Sequence, residues 1–301
     1  MKSALVILFN QDFSQNIPKL DSIYKGRFSK IVYLVPSHYS QLHKLYLHSN
    51  LPQVIPWQLD KLCYAVRRFL GKENPYELRG PEKQFFEDSI YKVIGHQFYF
   101  YHFLVQASDY LFNLDVDWYW ITGDDAVLHP DLNEKTLPHA LKMNTLTDSV
   151  LCQPVIGSDR WIEEIAVSVK EAEKRMRKSF GNEFPLKSLL NIKLAPGTNT
   201  NTLIPVACAD FFGIKKNILD SVVTLWKNCF KEKIYVEMAM PSVLLSTSQN
   251  PLLFSNFIWE RDIRPEGWQV LYEKLKKSNV IFAHPIKLSS ASVDEVQMLR
   301  T

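Results

Sequence analysis

The stretch "ALVILFNQDFSQNIPKLDSIYKGRFSKIVYLVP", residues 4 to 36, decides how this chain is read. Ala4 to Phe9 is a continuous apolar run, Ile17, Leu20 and Tyr24 follow at helical spacing, and Lys30 to Pro36 is a second run rich in β-branched residues. The order is strand, helix, strand. Continuous apolar runs bounded by polar turns suit strands covered on both faces, as in parallel sheets beneath crossover helices. The chain should therefore open as an open α/β sheet, which binds ligands beyond the carboxyl ends of its strands.

Working outward, Pro81 to Asn113 keeps bulky apolar residues three and four apart and reads as one long helix or two joined near Gly95. A strand over Trp118 to Ile121 follows, then another over Asp148 to Gly157, then a helix from Arg160 to Phe180 whose later half is densely charged. Asn191 to Lys216 is a loop-and-strand region with Asp210 at a strand end. Further helices are expected over Ile218 to Phe230, Pro241 to Ser248 and Gly267 to Ser278, and a late strand runs into His284. No repeat, low-complexity tract or Pro/Gly-rich linker interrupts the chain. The expected fold class is α/β: a single, open, mostly parallel Rossmann-type sheet flanked by helices, with a mixed C-terminal lobe. One domain should span 1–301, with a nucleotide-binding lobe over 1–150 and an acceptor lobe over 151–301.

Composition narrows the function by exclusion. Of 301 residues, 46% are hydrophobic, enough for a large core, and 35 basic against 32 acidic residues leave a net charge of +3. No global field marks a nucleic-acid binder. Cys63, Cys152, Cys208 and Cys229 show no metal spacing, and a thiol in an apolar stretch behaves as a small hydrophobe, so a reducing compartment is expected. "SALVILF" is too short for a secretory signal, and no window reaches the roughly 18 to 20 apolar residues of a membrane span. The expectation is a soluble, cytoplasmic protein, with a peripheral membrane contact left open and the oligomeric state unassigned. Neither GxGxxG nor GxxxxGK occurs, which argues against a dinucleotide enzyme or a P-loop NTPase.

The chemistry concentrates in "WYWITGDDAVLHPDL", Trp118 to Leu132. The strand should leave the sheet near Thr122, placing Asp124 and Asp125 at the carboxyl edge. Two adjacent acids repel each other, and a divalent cation held by their oxygens would resolve that repulsion; Mg²⁺ and Mn²⁺ complete such sites with phosphates and water. The plainer reading is an Asp that caps a turn. In "VIFAHPIKLSS", Val280 to Ser290, an apolar strand delivers His284, an acceptable Mn²⁺ ligand, and then Lys287, a point charge for phosphate. Taken alone, His284 also reads as a hydrogen-bonded structural histidine.

These landmarks in order, "LVILFN", "KIVYLVP", "ITGDDAVLHPDL", "ADFFGIKK" and "FAHPIKLS", resemble the GT-A-fold, nucleotide-sugar-dependent glycosyltransferases. The resemblance implies transfer of a sugar from a nucleoside-diphosphate sugar, a UDP-sugar first, to a hydroxyl of a carbohydrate or glycoconjugate acceptor, with Mn²⁺ or Mg²⁺ as cofactor. It implies Asp125 as direct metal ligand, Asp124 holding the metal through water or contacting the donor ribose, His284 as the third ligand and Lys287 on a phosphate. Gly123 departs from the pattern, standing where many members carry the first acid of the triplet.

Glu237, near the expected helix start at Pro241, is the candidate catalytic base or acceptor ligand, although an acid at a helix N-terminus is also favourable through the backbone dipole alone. Asp210 resembles the family position near donor sugar and acceptor, and reads equally as an Asp closing a strand. Phe9, Asn10, Pro36 and Ser37, at the ends of the first two strands, are the candidates for base and ribose contacts. The loop Leu194 to Pro205 and the group Trp259, Arg261, Arg264 and Trp268 read either as ligand-contacting or as ordinary surface and anchoring residues. Two other functions use the same features: a metal-dependent nucleotidyltransferase, and a catalytically silent carbohydrate- or nucleotide-binding protein of this fold.

Overall fold

The computed structural model describes residues 1–9, 14–39, 89–95, 99–156, 169–181, 204–259, 267–277, 279–286, 288 and 291–300. Its strands are β1 (Ser3–Leu8), β2 (Lys30–Tyr39), β3 (Ile90–Gly95), β4 (Trp118–Gly123), β5 (Val127–Leu128), β6 (Ser149–Cys152), β7 (Val155–Ile156), β8 (Pro205–Val206), β9 (Phe211–Lys215), β10 (Pro251–Phe254), β11 (Phe257–Trp259) and β12 (Phe282–His284). Its helices are α1 (Ile17–Tyr24), α2 (Tyr101–Gln106), α3 (Ser108–Phe112), α4 (Leu137–Ala140), α5 (Val169–Phe180), α6 (Leu219–Lys231), α7 (Val236–Thr247), α8 (Gly267–Lys277) and α9 (Val293–Gln297).

Seven strands form one sheet in the order β10-β6-β9-β4-β1-β2-β3. The β1–β2, β1–β4, β2–β3 and β10–β6 pairs are parallel, and β9 runs antiparallel to both β4 and β6. This is the mostly parallel open α/β sheet that residues 4 to 36 imply. A mixed three-stranded sheet, β11-β12-β5, lies beside it. No helix among the described residues is long and apolar enough to cross a membrane.

The period of two explains why both sheet faces are covered. Along β1, Ala4, Val6 and Leu8 join one core with α2, α3, α6 and α7, while Leu5 and Ile7, together with Phe9 just beyond the strand, join a second core with α1, α8 and the small sheet. Along β4, Tyr119 and Ile121 face the first core, and Trp118 and Trp120 face the second. Trp120 stacks on Trp118 and Phe211, with centroids 5.3 and 5.9 Å away. Its ring lies across Gly213, where a Cβ would come within 2.5 Å of it. Glycine at that position lets β9 lie beside β4.

Three expectations need correction. Ile90–Gly95 is an edge strand paired with β2, not part of a helix; short apolar runs fit either period, and the β-branched "IYKVI" finds a free sheet edge. The expected strand over 148–157 breaks into β6 and β7 at Gln153 and Pro154, since Pro cannot donate to a ladder. The helix expected from Pro241 begins at Val236, with Pro241 inside it and Glu237 in its first turn. The described part of the expected 160–180 helix starts at Val169.

Candidate active site

Thr122 and Gly123 end β4 beside Leu8, the last residue of β1, and Asp124 and Asp125 occupy the turn that follows. Three consecutive residues tie this turn to three parts of the chain. The Gly123 N–H donates to the Asp210 carbonyl at 3.2 Å, the Asp124 N–H donates to the Leu8 carbonyl at 3.0 Å, and the Asp125 carbonyl accepts from the Ile286 N–H at 2.6 Å. The Thr122 hydroxyl also donates to the Asp210 carbonyl, at 3.0 Å. A fourth tie runs through Tyr24, whose hydroxyl donates to the Ala126 carbonyl and accepts from the Leu128 N–H. The turn is a backbone hub that fixes where residues 210 and 284 come to rest.

Asp210 reaches the hub by an unexpected route. It immediately precedes β9 instead of closing a strand, and because β9 is antiparallel to β4, the start of β9 shares the edge where β4 ends. His284 arrives at the end of β12, which pairs with β5 just past the acidic turn. Within "AVLHPDL", Val127–Leu128 forms the short strand β5, which pairs antiparallel with β12.

The three side chains converge. His284 Nε2 lies 3.2 Å from Asp125 Oδ2, and His284 Nδ1 lies 3.2 Å from Asp210 Oδ2. One ligand atom from each of Asp125, Asp210 and His284 falls within 4.8 Å of the others. The His284 side chain is 11% exposed, that of Asp210 15% and that of Asp125 33%, so the cluster is largely enclosed by protein, Asp125 being its most open member. Burial alone would lower the pKa of His284, but the hydrogen bond to Asp125 and the charges of Asp210, Asp125 and Glu237 outweigh it and raise the pKa above its usual range. Burial raises the Asp210 pKa, and the Asp125 charge adds to the shift against the opposing pull of His284.

Asp125 Oδ1 is buried and accepts no hydrogen bond from the described residues. A carboxylate oxygen in that state costs free energy unless a cation or a water meets it, and the donor set of two carboxylates and one imidazole suits a divalent ion such as Mn²⁺. The residues present therefore fit the ion implied by the sequence. Gly123 has a matching reason to lack a side chain: a Cβ there would stand 2.9 Å from Asp125 Oδ1. Glycine at position 123 thus leaves the Asp125 carboxylate its place.

Other sequence candidates fall differently. Asp124 is 4% exposed and is not one of the three converging groups; it ties the turn to β1 through its backbone. Glu237, in the first turn of α7, is close enough for its charge to act on His284, and its own carbonyl accepts from the Ala207 N–H. The Phe9 ring is fully buried and meets Tyr33 edge-on, so it supports the strand ends from within the core and offers no face to a nucleotide base. Pro36 is buried, and Ser37 stands where the β2–β3 register shifts between Pro36 and His38, an irregularity of the kind that re-aims a strand end. Asn10, Lys287, Arg261, Arg264 and residues 194–203 lie outside the described residues. Trp259 pairs in register with His284, and Trp268 packs on the second core.

Sequence reasoning missed Cys208. Its thiol sulfur is 2.7 Å from Asp210 Oδ2. Contact with the Cys152 thiol, burial and the Asp210 charge all raise the Cys208 pKa, so it remains a thiol. A spacing of two in "CAD" placed after a short strand was the only signal available.

No protein-family model matches the chain, and neither does any curated protein. Among solved structures, it is similar to the apo form of mouse xyloside xylosyltransferase 1, with 10% sequence identity over 94% of this chain and 97% of that chain and a TM-score of 0.35. At that TM-score the likeness carries no weight for function, which rests on the site's own geometry.

Proposed function

We propose that this protein is a metal-dependent glycosyltransferase that moves a sugar from a nucleoside-diphosphate sugar to an acceptor hydroxyl. One observation carries the reading: two carboxylates and an imidazole meet at the carboxyl edge of an open α/β sheet, and one of those carboxylates keeps a buried oxygen without a hydrogen bond from the described residues. Asp125, His284 and Asp210 would hold the divalent ion. When bound, that ion supplies positive charge against which a departing diphosphate is stabilised.

The remaining work falls to the chain's own groups. Asp124 fixes the turn against β1 and so aims Asp125. The strand ends around Pro36, Ser37 and Asn10 would take the nucleotide, and Lys287, next to the Ile286 that grips Asp125, would meet a phosphate oxygen. Glu237, in the first turn of α7 and near His284, would accept the acceptor hydroxyl's proton. A UDP-sugar is the first donor to test, with Mn²⁺ before Mg²⁺ because imidazole is among the ligands.

The test is a turnover screen of nucleoside-diphosphate sugars with and without Mn²⁺, run beside nucleoside triphosphates with sugar phosphates. Sugar release or transfer that requires Mn²⁺ supports the reading; pyrophosphate release from the triphosphate arm alone would replace it with nucleotidyl transfer. Donor binding unaffected by Mn²⁺, with turnover in neither arm, would indicate a silent binding protein. Glu237→Gln should keep Mn²⁺ and donor binding while lowering transfer about 100-fold or more, the usual scale for a lost general base.

A further inference from the structure

Asp210 presents a problem of aim. Its backbone is well fixed, since its carbonyl accepts from both the Thr122 hydroxyl and the Gly123 N–H. A fixed backbone still leaves an aspartate its side-chain torsions, and a carboxylate beside another carboxylate is repelled from the position an ion needs. Something must hold it there when the ion is absent. Two contacts on Asp210 Oδ2 address this: His284 Nδ1 at 3.2 Å and Cys208 Sγ at 2.7 Å. A carboxylate can only accept, so the thiol is the donor, and a weak donor gains strength when its acceptor is charged.

Cys208 is not one of the converging ligand groups, which are Asp125, Asp210 and His284. It lies on the connection between β8 and β9 and packs on the second core. Outer partners of this kind orient metal-binding carboxylates and matter to affinity without touching the ion.

We propose that Cys208 is a positioning residue of the ion site, its thiol holding Asp210 Oδ2 so that the carboxylate faces His284 and Asp125. This rests on the ion-binding reading above. It also assigns Cys208 a polar task, where composition alone would make it a small hydrophobe. Serine can make the same hydrogen bond from a slightly shorter arm; alanine cannot.

The experiment measures Mn²⁺ affinity of the full chain by titration calorimetry, in wild type, Cys208→Ala, Cys208→Ser, Asp210→Asn and the double variant Cys208→Ala with Asp210→Asn, with the thermal midpoint of each apo protein alongside. Cys208→Ala should weaken Mn²⁺ binding about 10-fold, the lower end for loss of an outer partner. Cys208→Ser should recover most of that loss, and Cys208→Ala should change little once Asp210 is already Asn, because the two residues act as one unit. A loss shared equally by Ala and Ser, or one that persists undiminished in the Asp210→Asn background, would reduce Cys208 to packing and overturn the proposal. Wild type that binds Mn²⁺ with Cys208→Ala unchanged overturns the positioning role alone. Wild type that binds no Mn²⁺ overturns the ion site itself.

Discussion

Asp125 and Asp148 both adjoin strands of the same sheet, yet they live in opposite circumstances. Asp148 precedes β6, and its carboxylate takes the Ser248 hydroxyl, the Gln249 N–H at 2.9 Å and the Asn250 N–H at 3.1 Å, closing the turn between α7 and β10. Its acceptors are spent within the fold. Among the described residues, Asp125 keeps one oxygen buried and unbonded, beside an imidazole and a second carboxylate. An acid whose acceptors are saturated by backbone and hydroxyl donors contributes stability, whereas one held short of saturation among other ligand types is poised for something the chain does not itself supply.

The sharpest way to break this contrast is to exchange the effects. Asp125→Ala should lower Mn²⁺ affinity by more than about 100-fold, beyond the range for mere outer partners, while circular dichroism shows the fold retained. Unfolding of the variant, or Mn²⁺ affinity that survives it, would place Asp125 with Asp148 as a structural acid. Asp148→Ala should do the reverse. It loses three charge-assisted hydrogen bonds, costing about 2 kcal/mol of stability, seen as a thermal midpoint several degrees lower, with Mn²⁺ affinity nearly unchanged.

Gly123→Ala tests the space that Asp125 occupies. The added methyl would stand 2.9 Å from Asp125 Oδ1, so the carboxylate must turn away. Mn²⁺ binding should fall about 10-fold, on the scale of a disturbed outer partner, and calorimetry showing wild-type affinity would mean that the turn relaxes without moving the oxygen.

The smallest expected effect extends the Asp148 side of the comparison to Glu134. Its carboxylate accepts from the Ser29 N–H at 2.9 Å, the Ser29 hydroxyl at 2.6 Å and the Ser3 N–H at 3.2 Å, joining the starts of β2 and β1. Burial would raise its pKa, but these donors outweigh it and hold the pKa below the usual carboxylate range. A depressed folded-state pKa stabilises the fold above the unfolded value and loses that contribution as pH falls through the folded one. Glu134→Gln should therefore cost less than about 1 kcal/mol at neutral pH, since the group is partly exposed and screened. Denaturant melts should show the two proteins converging below about pH 4, near the ordinary Glu value; a difference that persists in acid would assign the effect to packing.

Much of this was legible beforehand, for identifiable reasons. The runs Ala4 to Phe9 and Lys30 to Pro36 are apolar throughout because both sheet faces are covered, and that signal is local. The acidic pair after Ile121 was legible because a buried strand seldom ends on two like charges without cause. The edge strand Ile90–Gly95 was not, since six residues fit either period until a neighbouring edge is available. Asp210 was noticed, but its company with Asp125 was not readable: it depends on β9 running antiparallel, which turns a strand's beginning toward its neighbour's end.

By itself, then, the sequence determined the α/β class, the carboxyl-edge placement of Asp124 and Asp125, and the residue types able to hold an ion. Only the tertiary structure decided which acids meet. Asp125 and His284 are 159 positions apart and Asp210 lies between them, yet they converge because hydrogen bonds from Gly123, Thr122 and Ile286 fix two distant backbone segments, at 210 and 286, against one turn. Local composition encodes burial and period; convergence depends on strand order and direction, which the whole chain settles together.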